Sequence, residues 1–126
     1  MQTKKFSTGS TFEEEISYSR AVLKNNILYV SGTTGYNYKN MEISDDVVVQ
    51  AEQCFVNIQE VWKNFDATFL HIVRINYIFP VREDFKKCWL VFRKYLGEVR
   101  PAATMIVAGL ADPKMKLEVE VTADLT

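Results

Sequence analysis

Apolar side chains recur every three or four residues along two segments of the chain, which is the spacing of α-helices with one buried face. The longer segment follows Ser44, the expected N-cap, and its apolar stripe contains Val47, Val48, Ala51, Cys54, Phe55, Ile58, Val61, Trp62 and Phe65. The shorter segment, residues 82–96, ends before a capping glycine and carries Phe85, Cys88, Trp89, Phe92 and Leu96. The pattern predicts two amphipathic helices whose aromatic residues belong to the core.

Five other segments have the alternation or the composition of β-strands. They are residues 18–24, 27–31, 72–79, 103–108 and 115–122. The Asn25-Asn26 pair between the first two predicts a hairpin turn, because asparagine tolerates left-handed backbone. In the third segment the alternation places Val73 on the same buried face as Ile75 and Phe79.

The remaining segments are predicted to be irregular. Residues 1–15 allow either a short edge strand or a loose arm. Gly32-Thr33-Thr34-Gly35 interrupts the strand pattern and predicts a loop, and the polar residues 36–43 predict a surface connection. The resulting order, β-β-α-β-α-β-β, predicts one α+β domain over residues 1–126, with a mixed sheet and two helices on one face. Because the other face needs cover, this order favours an oligomer.

Charge and cysteine usage narrow the possible functions. The chain carries 15 basic and 16 acidic side chains without a block of like charge, so neither nucleic acid nor an anionic membrane is predicted as a partner. No stretch approaches the roughly 18 apolar residues of a membrane span, and residues 1–11 lack the apolar core of a signal peptide. Cys54 and Cys88 are expected to be buried in helices, and His71 is the only histidine, so no metal site is predicted. We expect a reducing cytoplasmic location.

Two patterns are candidates for chemistry, and each also has a plainer explanation. Glu118 and Glu120 lie two positions apart on a predicted strand and therefore share a face. They are either paired carboxylates for acid–base work or part of a solvated strand surface. Residues 32–35 either bind an anion through exposed N–H groups or form an ordinary turn after a strand.

Five short stretches have an order and a spacing that together are characteristic of one family. They are Tyr18-Ser19-Arg20-Ala21-Val22, Leu28-Tyr29-Val30-Ser31-Gly32-Thr33-Thr34-Gly35, Asn57, Arg100-Pro101-Ala102 and Leu117-Glu118-Val119-Glu120-Val121. This pattern resembles the RidA/YjgF family of enamine/imine deaminases. The resemblance implies a chorismate-mutase-like fold and a homotrimer, with the sheets packed as an inner barrel, helices outside and three clefts between subunits.

The resemblance also assigns roles to single residues. In active members an arginine holds the carboxylate of an amino-acid-derived imine, and a glutamate holds the water that releases ammonia, without a cofactor. Tyr18 matches a tyrosine at the cleft mouth, and Glu118 matches the water-holding glutamate. Gly32 and Thr33 match a loop whose backbone faces the ligand.

Two positions depart from the family pattern. Ala103 stands in place of the carboxylate-binding arginine, beside Thr104, which matches a small hydroxyl residue. Trp89 stands where active members often have a small polar residue, which narrows the cleft or makes it more apolar. Arg20 is the better-placed substitute for the arginine, because Arg100 is expected on the opposite strand face, about 10 Å away.

The sequence therefore predicts a RidA/YjgF-like protein that binds a small metabolite in inter-subunit clefts. As a hydrolytic deaminase it is expected to use ordinary 2-imino acids poorly. Neutral imines, a different small ligand and a loss of catalysis all stay open. The alternative is a non-catalytic module on the same trimer that senses a metabolite or binds a protein. A nuclease role is disfavoured by the mildly acidic composition.

Overall fold

The computed structural model describes residues 3–126, so Met1 and Gln2 of the predicted edge strand or arm lie outside the described residues. Its strands are β1 (Lys4–Phe6), β2 (Ala21–Lys24), β3 (Ile27–Thr34), β4 (Tyr36–Asn37), β5 (Glu42–Ile43), β6 (Ile72–Phe79), β7 (Ala102–Val107) and β8 (Glu118–Asp124). Six of them form a sheet in the order β1-β2-β3-β8-β6-β7, while β4 and β5 pair separately. Strands β6 and β7 run parallel and the other neighbours antiparallel, so the sheet is mixed, as predicted.

The helices are α1 (Thr11–Ile16), α2 (Val47–Phe65), α3 (Asp84–Lys87) and α4 (Trp89–Leu96), with a 3-10 turn at Phe69–His71. The main elements keep the predicted order, and the α+β class is confirmed. The prediction of Ser44 as the N-cap of α2 is wrong. The N-cap is Asp46, whose carboxylate accepts from the amides of Val48 and Val49 at 2.8 and 3.4 Å. The second predicted helix breaks at Cys88, whose backbone leaves helical geometry.

The core lies between the sheet and the helices α2 and α4, and aromatic rings fill much of it. Phe55 is fully buried as predicted, and Phe92 contacts Tyr77 with 4.4 Å between ring centroids. Trp89 does not belong to this core, since 43% of it is exposed and it packs edge-on against Phe85. Its predicted burial is wrong because the helix break before it changes the phase of the apolar stripe.

Strand β6 departs from strict alternation at its start. Ile72 is buried and Val73 is 49% exposed, because a bulge after Ile72 shifts the register with β8. From Ile75 onwards the predicted face is correct. Strand β8 begins at Glu118, later than predicted, and Met115 instead packs against the β4–β5 hairpin.

The predicted loop at residues 32–35 and the predicted surface connection at residues 36–43 are both wrong. Strand β3 continues through a bulge to Thr34, and the β4–β5 hairpin that follows buries Tyr36. Asn57 of α2 holds this turn by donating to the carbonyls of Thr34 and Tyr36 at 3.0 and 2.8 Å. The close approach requires Gly35, because a Cβ there would lie 2.5 Å from Cβ of Gln50.

The N-terminal segment contains both a strand and a helix. Strand β1 pairs with β2 at the edge of the sheet, which confirms the edge-strand prediction. Helix α1 was not predicted, although Ser10 caps it and accepts from the Glu13 amide at 3.3 Å. The Ser10-Thr11-Phe12-Glu13 order, which has the spacing of a capping box, is the signal from which this helix could have been predicted.

The sheet face away from α2 and α4 is largely exposed. Tyr29 and Ile106 are 53% and 45% exposed, and Asn76, Thr104 and Glu120 provide polar groups on the same face. The prediction that two helices leave one face uncovered is confirmed.

Candidate functional site

A groove of about 370 Å³ opens at the end of β3 and the start of β8. Its lining includes Tyr18, Gly32, Thr34, Tyr38, Glu118 and Glu120; we call it the Glu118 groove. Glu118 and Glu120 alternate with buried residues along β8, so both carboxylates reach the same side of the sheet. Their predicted shared face is confirmed.

The Glu118 carboxylate packs against the backbone of Gly32. A Cβ on Gly32 would lie 2.7 Å from the carboxylate carbon and from one of its oxygens, so a larger residue would displace it. Burial raises the pKa of Glu118 above its usual value, although nearby Arg20 opposes this shift, and Glu120 adds to it. Within residues 3–126 no protein group donates a hydrogen bond to this carboxylate, which leaves it available to a water molecule or a ligand.

Arg20 does not line this groove but binds two residues that do, Tyr18 and Gly32. It is 1% exposed, and its guanidinium donates to the Gly32 carbonyl at 2.8 Å and to the hydroxyls of Thr33 and Tyr18, both at 3.2 Å. The Arg20 Nε binds the Glu13 carboxylate at 3.3 Å. The prediction that Arg20 replaces the missing carboxylate anchor is wrong, because each nitrogen of its guanidinium already binds the protein.

Glu13 is a buried carboxylate that the sequence reasoning missed. It accepts hydrogen bonds from the Ser7 hydroxyl at 2.6 Å, from the amide and hydroxyl of Thr8 at 2.8 and 2.5 Å, and from the Ser10 hydroxyl at 2.8 Å. Burial acts to raise the pKa of Glu13, but these hydrogen bonds outweigh burial and hold the pKa below its usual value. The Glu13–Arg20 pair therefore ties the N-terminal segment to the wall of the groove.

Tyr18 and Thr33, which also match the family pattern, lie in different surroundings. Tyr18 lines the Glu118 groove. Thr33 is fully buried, and its hydroxyl donates to the Ser31 carbonyl at 2.8 Å and accepts from Arg20. The role predicted for Thr33 concerns its backbone: its carbonyl accepts from Sγ of Cys54 of α2 at 3.5 Å, and contact of its amide with a ligand stays a prediction.

Ala103 lies in a second groove. It is opposite Ile75 in the parallel β6–β7 pair, so it faces the helix side of the sheet. This groove of about 420 Å³ runs between β7 and α4, and its lining includes Ile75, Tyr77, Phe92, Arg93, Arg100 and Ala103; we call it the Ala103 groove. Glu118 faces the other side of the sheet, and β6 separates β8 from β7. A single chain therefore does not bring Glu118 and Ala103 together.

Thr104 and Trp89 line neither of these two grooves. Thr104 is opposite Asn76 on the exposed sheet face, where Asn76 donates to Glu120 at 2.9 Å. Trp89 begins α4, with the Lys86 ammonium 5.6 Å from its ring centroid. The Ala103 groove lies toward the other end of α4, so one chain does not place Trp89 beside Ala103.

Arg100 occupies a position that the sequence did not predict. Its backbone is left-handed, with a φ of 50°, and its amide donates to the Leu96 carbonyl at 3.0 Å. Because β7 begins only at Ala102, strand geometry does not set the direction of the Arg100 side chain. Arg100 lines the same groove as Ala103, and its predicted place on the opposite face is wrong.

The cysteines and the histidine have structural roles. Burial raises the pKa of Cys54 well above its usual range and that of Cys88 to about 11, so both thiols stay protonated at neutral pH. Nδ1 of His71 accepts from the Thr68 amide at 2.9 Å. Among residues 3–126, no three His, Cys, Asp or Glu side chains are grouped as metal ligands. The same residues contain no helix that is long and apolar enough to cross a membrane.

Comparison with known proteins shows similarity over most of the chain. The family model described as Endoribonuclease L-PSP matches residues 8–125. Protein MMF1, a mitochondrial protein of Saccharomyces cerevisiae, is 28% identical over 107 residues, which cover 85% of this chain and 74% of that protein. Reactive Intermediate Deaminase A, a chloroplastic protein of Arabidopsis thaliana, is 28% identical over 109 residues, which cover 86% of this chain and 58% of that protein.

A solved structure shares the whole topology. Rv2704 from Mycobacterium tuberculosis, described as a member of the YjgF family, is 27% identical and superposes with a TM-score of 0.87. The superposition covers 98% of this chain and 99% of that one. The fold implied by the sequence resemblance is therefore confirmed.

Proposed function

Because the chain belongs to the Endoribonuclease L-PSP family, also called the YjgF/RidA family, we propose that it binds a small metabolite in clefts between the subunits of a homotrimer. The exposed sheet face and the unpaired edge of β7 support association. In this assembly, the Glu118 groove of one chain meets the Ala103 groove of its neighbour, which joins two half-sites that a single chain keeps apart.

The chemistry that this cleft supports best is hydrolysis of an enamine or imine, with Glu118 holding the water. The carboxylate takes a proton from water while the water oxygen bonds to the C=N carbon. Glu118 returns this proton to the nitrogen, the proton of the new hydroxyl also moves to the nitrogen, and the C–N bond breaks to leave a carbonyl compound and ammonia. No electrons are gained or lost overall, so the reaction needs no redox cofactor.

Ordinary 2-imino acids are expected to be poor substrates. A guanidinium would grip their carboxylate through two charge-assisted bonds, and Ala103 offers no donor. Each such bond is worth about 1.5–3 kcal/mol, so its loss weakens binding about tenfold or more. Neutral imines do not need this anchor.

The observation that carries the proposal is the Glu118 carboxylate, which is unpaired within residues 3–126 and packs against Gly32. Ammonia release can be compared for 2-iminobutyrate, formed in place by an amino-acid oxidase, and the neutral imine of 2-butanone, formed by an amine oxidase. We expect acceleration of the neutral imine, lost in Glu118→Gln and kept in Glu60→Gln on the outer side of α2. Full activity of Glu118→Gln would contradict the assigned role.

A second candidate function is a module that binds a metabolite or a protein without turnover. The observation that favours it is the alanine at position 103, which offers no donor to a ligand, beside two well-formed grooves. A ligand that stays bound through purification, identified by mass spectrometry and not converted, would favour this function over catalysis. We place either function in the reducing cytoplasm, and the formal charge of -1 does not favour a nuclease.

A further inference from the structure

The Ala103 groove contains two arginines without an ion-pair partner among residues 3–126. Arg93 on α4 and Arg100 beyond its end both line the groove and are exposed. None of the ion pairs among residues 3–126 includes either of them, and neither side chain donates a hydrogen bond there. Two positive charges that share one groove without an acid among its lining residues favour an anion as ligand.

The backbone of Arg100 gives a second, independent reason to assign it a role. A φ of 50° is unfavourable for a residue with a Cβ, and glycine or asparagine satisfies a turn of this kind with less strain. The amide of Arg100 bonds to the Leu96 carbonyl, so the end of α4 holds the residue in this conformation. Strain of this kind is often kept where a side chain is used.

The rest of the groove suits an apolar ligand body. Its lining includes Ile75, Phe92 and Leu96, and the methyl group of Ala103 leaves free the space that a longer side chain would fill. We propose that this groove binds the carboxylate of an apolar ligand, with Arg100 and Arg93 as the anchor.

The position of the anchor limits the length of the ligand. Because Arg100 lies outside β7, the anchor is displaced from position 103. We extend the proposal to ligands longer than a small 2-imino acid, which would be held there and also reach Glu118 of the neighbouring subunit. This last step rests on the proposed function, whereas the carboxylate anchor does not.

Stable probes test the anchor without any turnover. We would measure by calorimetry the binding of 4-phenylbutyrate and of 4-phenylbutyramide, which has the same skeleton without the charge. We expect the acid to bind about tenfold or more tightly than the amide, as charge-assisted bonds require. The preference should disappear in Arg100→Gln, weaken in Arg93→Gln and persist in Arg82→Gln, an exposed arginine outside this groove.

Three results would count against the proposal that Arg100 and Arg93 anchor a carboxylate. Equal binding of acid and amide, no binding of either, or an unchanged preference in Arg100→Gln would overturn the proposal. The thermal unfolding temperature and the mass in solution of each variant check its folding, and Arg93→Gln, inside a regular helix, serves if Arg100→Gln fails to fold. Selective binding without imine hydrolysis would keep the anchor and refute catalysis. Hydrolysis of neutral imines without selective binding of the acid would support catalysis and refute the carboxylate anchor.

Discussion

Arg20 and Arg100 both lie beside a groove, but their surroundings are opposite. Arg20 is 1% exposed and each nitrogen of its guanidinium binds the protein, with Glu13 as the balancing charge. Arg100 is exposed on left-handed backbone and has no ion-pair partner within residues 3–126. A guanidinium whose three nitrogens all bind the protein holds the fold, whereas one without partners can bind a ligand. The partners, and not the distance from the expected site, distinguish the two roles.

The largest effect is expected from removing Arg20. Arg20→Met leaves Glu13 buried without its cation, and breaking a buried ion pair costs about 3–5 kcal/mol of the free energy of unfolding. Urea unfolding measures this loss. The matched change Arg100→Met should alter stability by no more than about 0.5 kcal/mol, so equal losses would contradict the comparison.

A smaller effect is expected from placing an arginine at position 103, where the proposed function lacks a carboxylate anchor. Ala103 is exposed and faces its groove, so Ala103→Arg can present a guanidinium there. We expect ammonia release from 2-iminobutyrate to rise about tenfold or more, from the charge-assisted bonds gained. Thr104→Arg, on the other face, should give no gain. If Ala103→Arg also gives none, the cleft is not an otherwise intact 2-imino-acid site.

The smallest effect concerns the pH dependence of stability. The pKa of Glu13 is lower in the folded chain than its usual 4.5, so the ionised carboxylate stabilises the fold above that value. This stability is lost as the pH falls through the folded pKa. Glu118 has a raised pKa and therefore the opposite trend, in which stability is gained as the pH falls.

Urea unfolding of the wild type and of Glu13→Gln from pH 7 to pH 3 isolates the Glu13 contribution, because Glu118 is common to both chains. The difference between them should be largest at pH 7 and should shrink on acidification. A constant difference would show that the charge of Glu13 does not stabilise the fold.

The parts of the fold that were predictable depend on local periodicity. The apolar stripe of α2 and the alternation of β6 from Ile75 onwards need only the spacing of neighbouring residues. The hairpin after β3 was missed because long-range contacts decide it: Asn57 binds two carbonyls there, and Gly35 admits Gln50. Such contacts leave no periodic signal in the sequence.

The candidate site also has a part that the sequence predicted and a part that it did not. Tyr18, Gly32 and Glu118 were expected together, and the structure places all three in one groove. The role of Arg20 was mistaken because its main ion-pair partner, Glu13, lies in a segment with no predicted helix. The place of Arg100 was mistaken because a left-handed residue breaks the strand geometry that was assumed for it.

The central claim is that one site is built from the Glu118 groove of one subunit and the Ala103 groove of another. A double variant, Tyr18→Cys with Ala103→Cys, places one thiol in each groove, while Cys54 and Cys88 stay buried. Treatment with a short bismaleimide, followed by mass analysis under denaturing conditions, tests the claim directly. The account predicts chains linked into covalent trimers, and no trimers from either single variant. A monomeric mass in solution together with unlinked chains would contradict it.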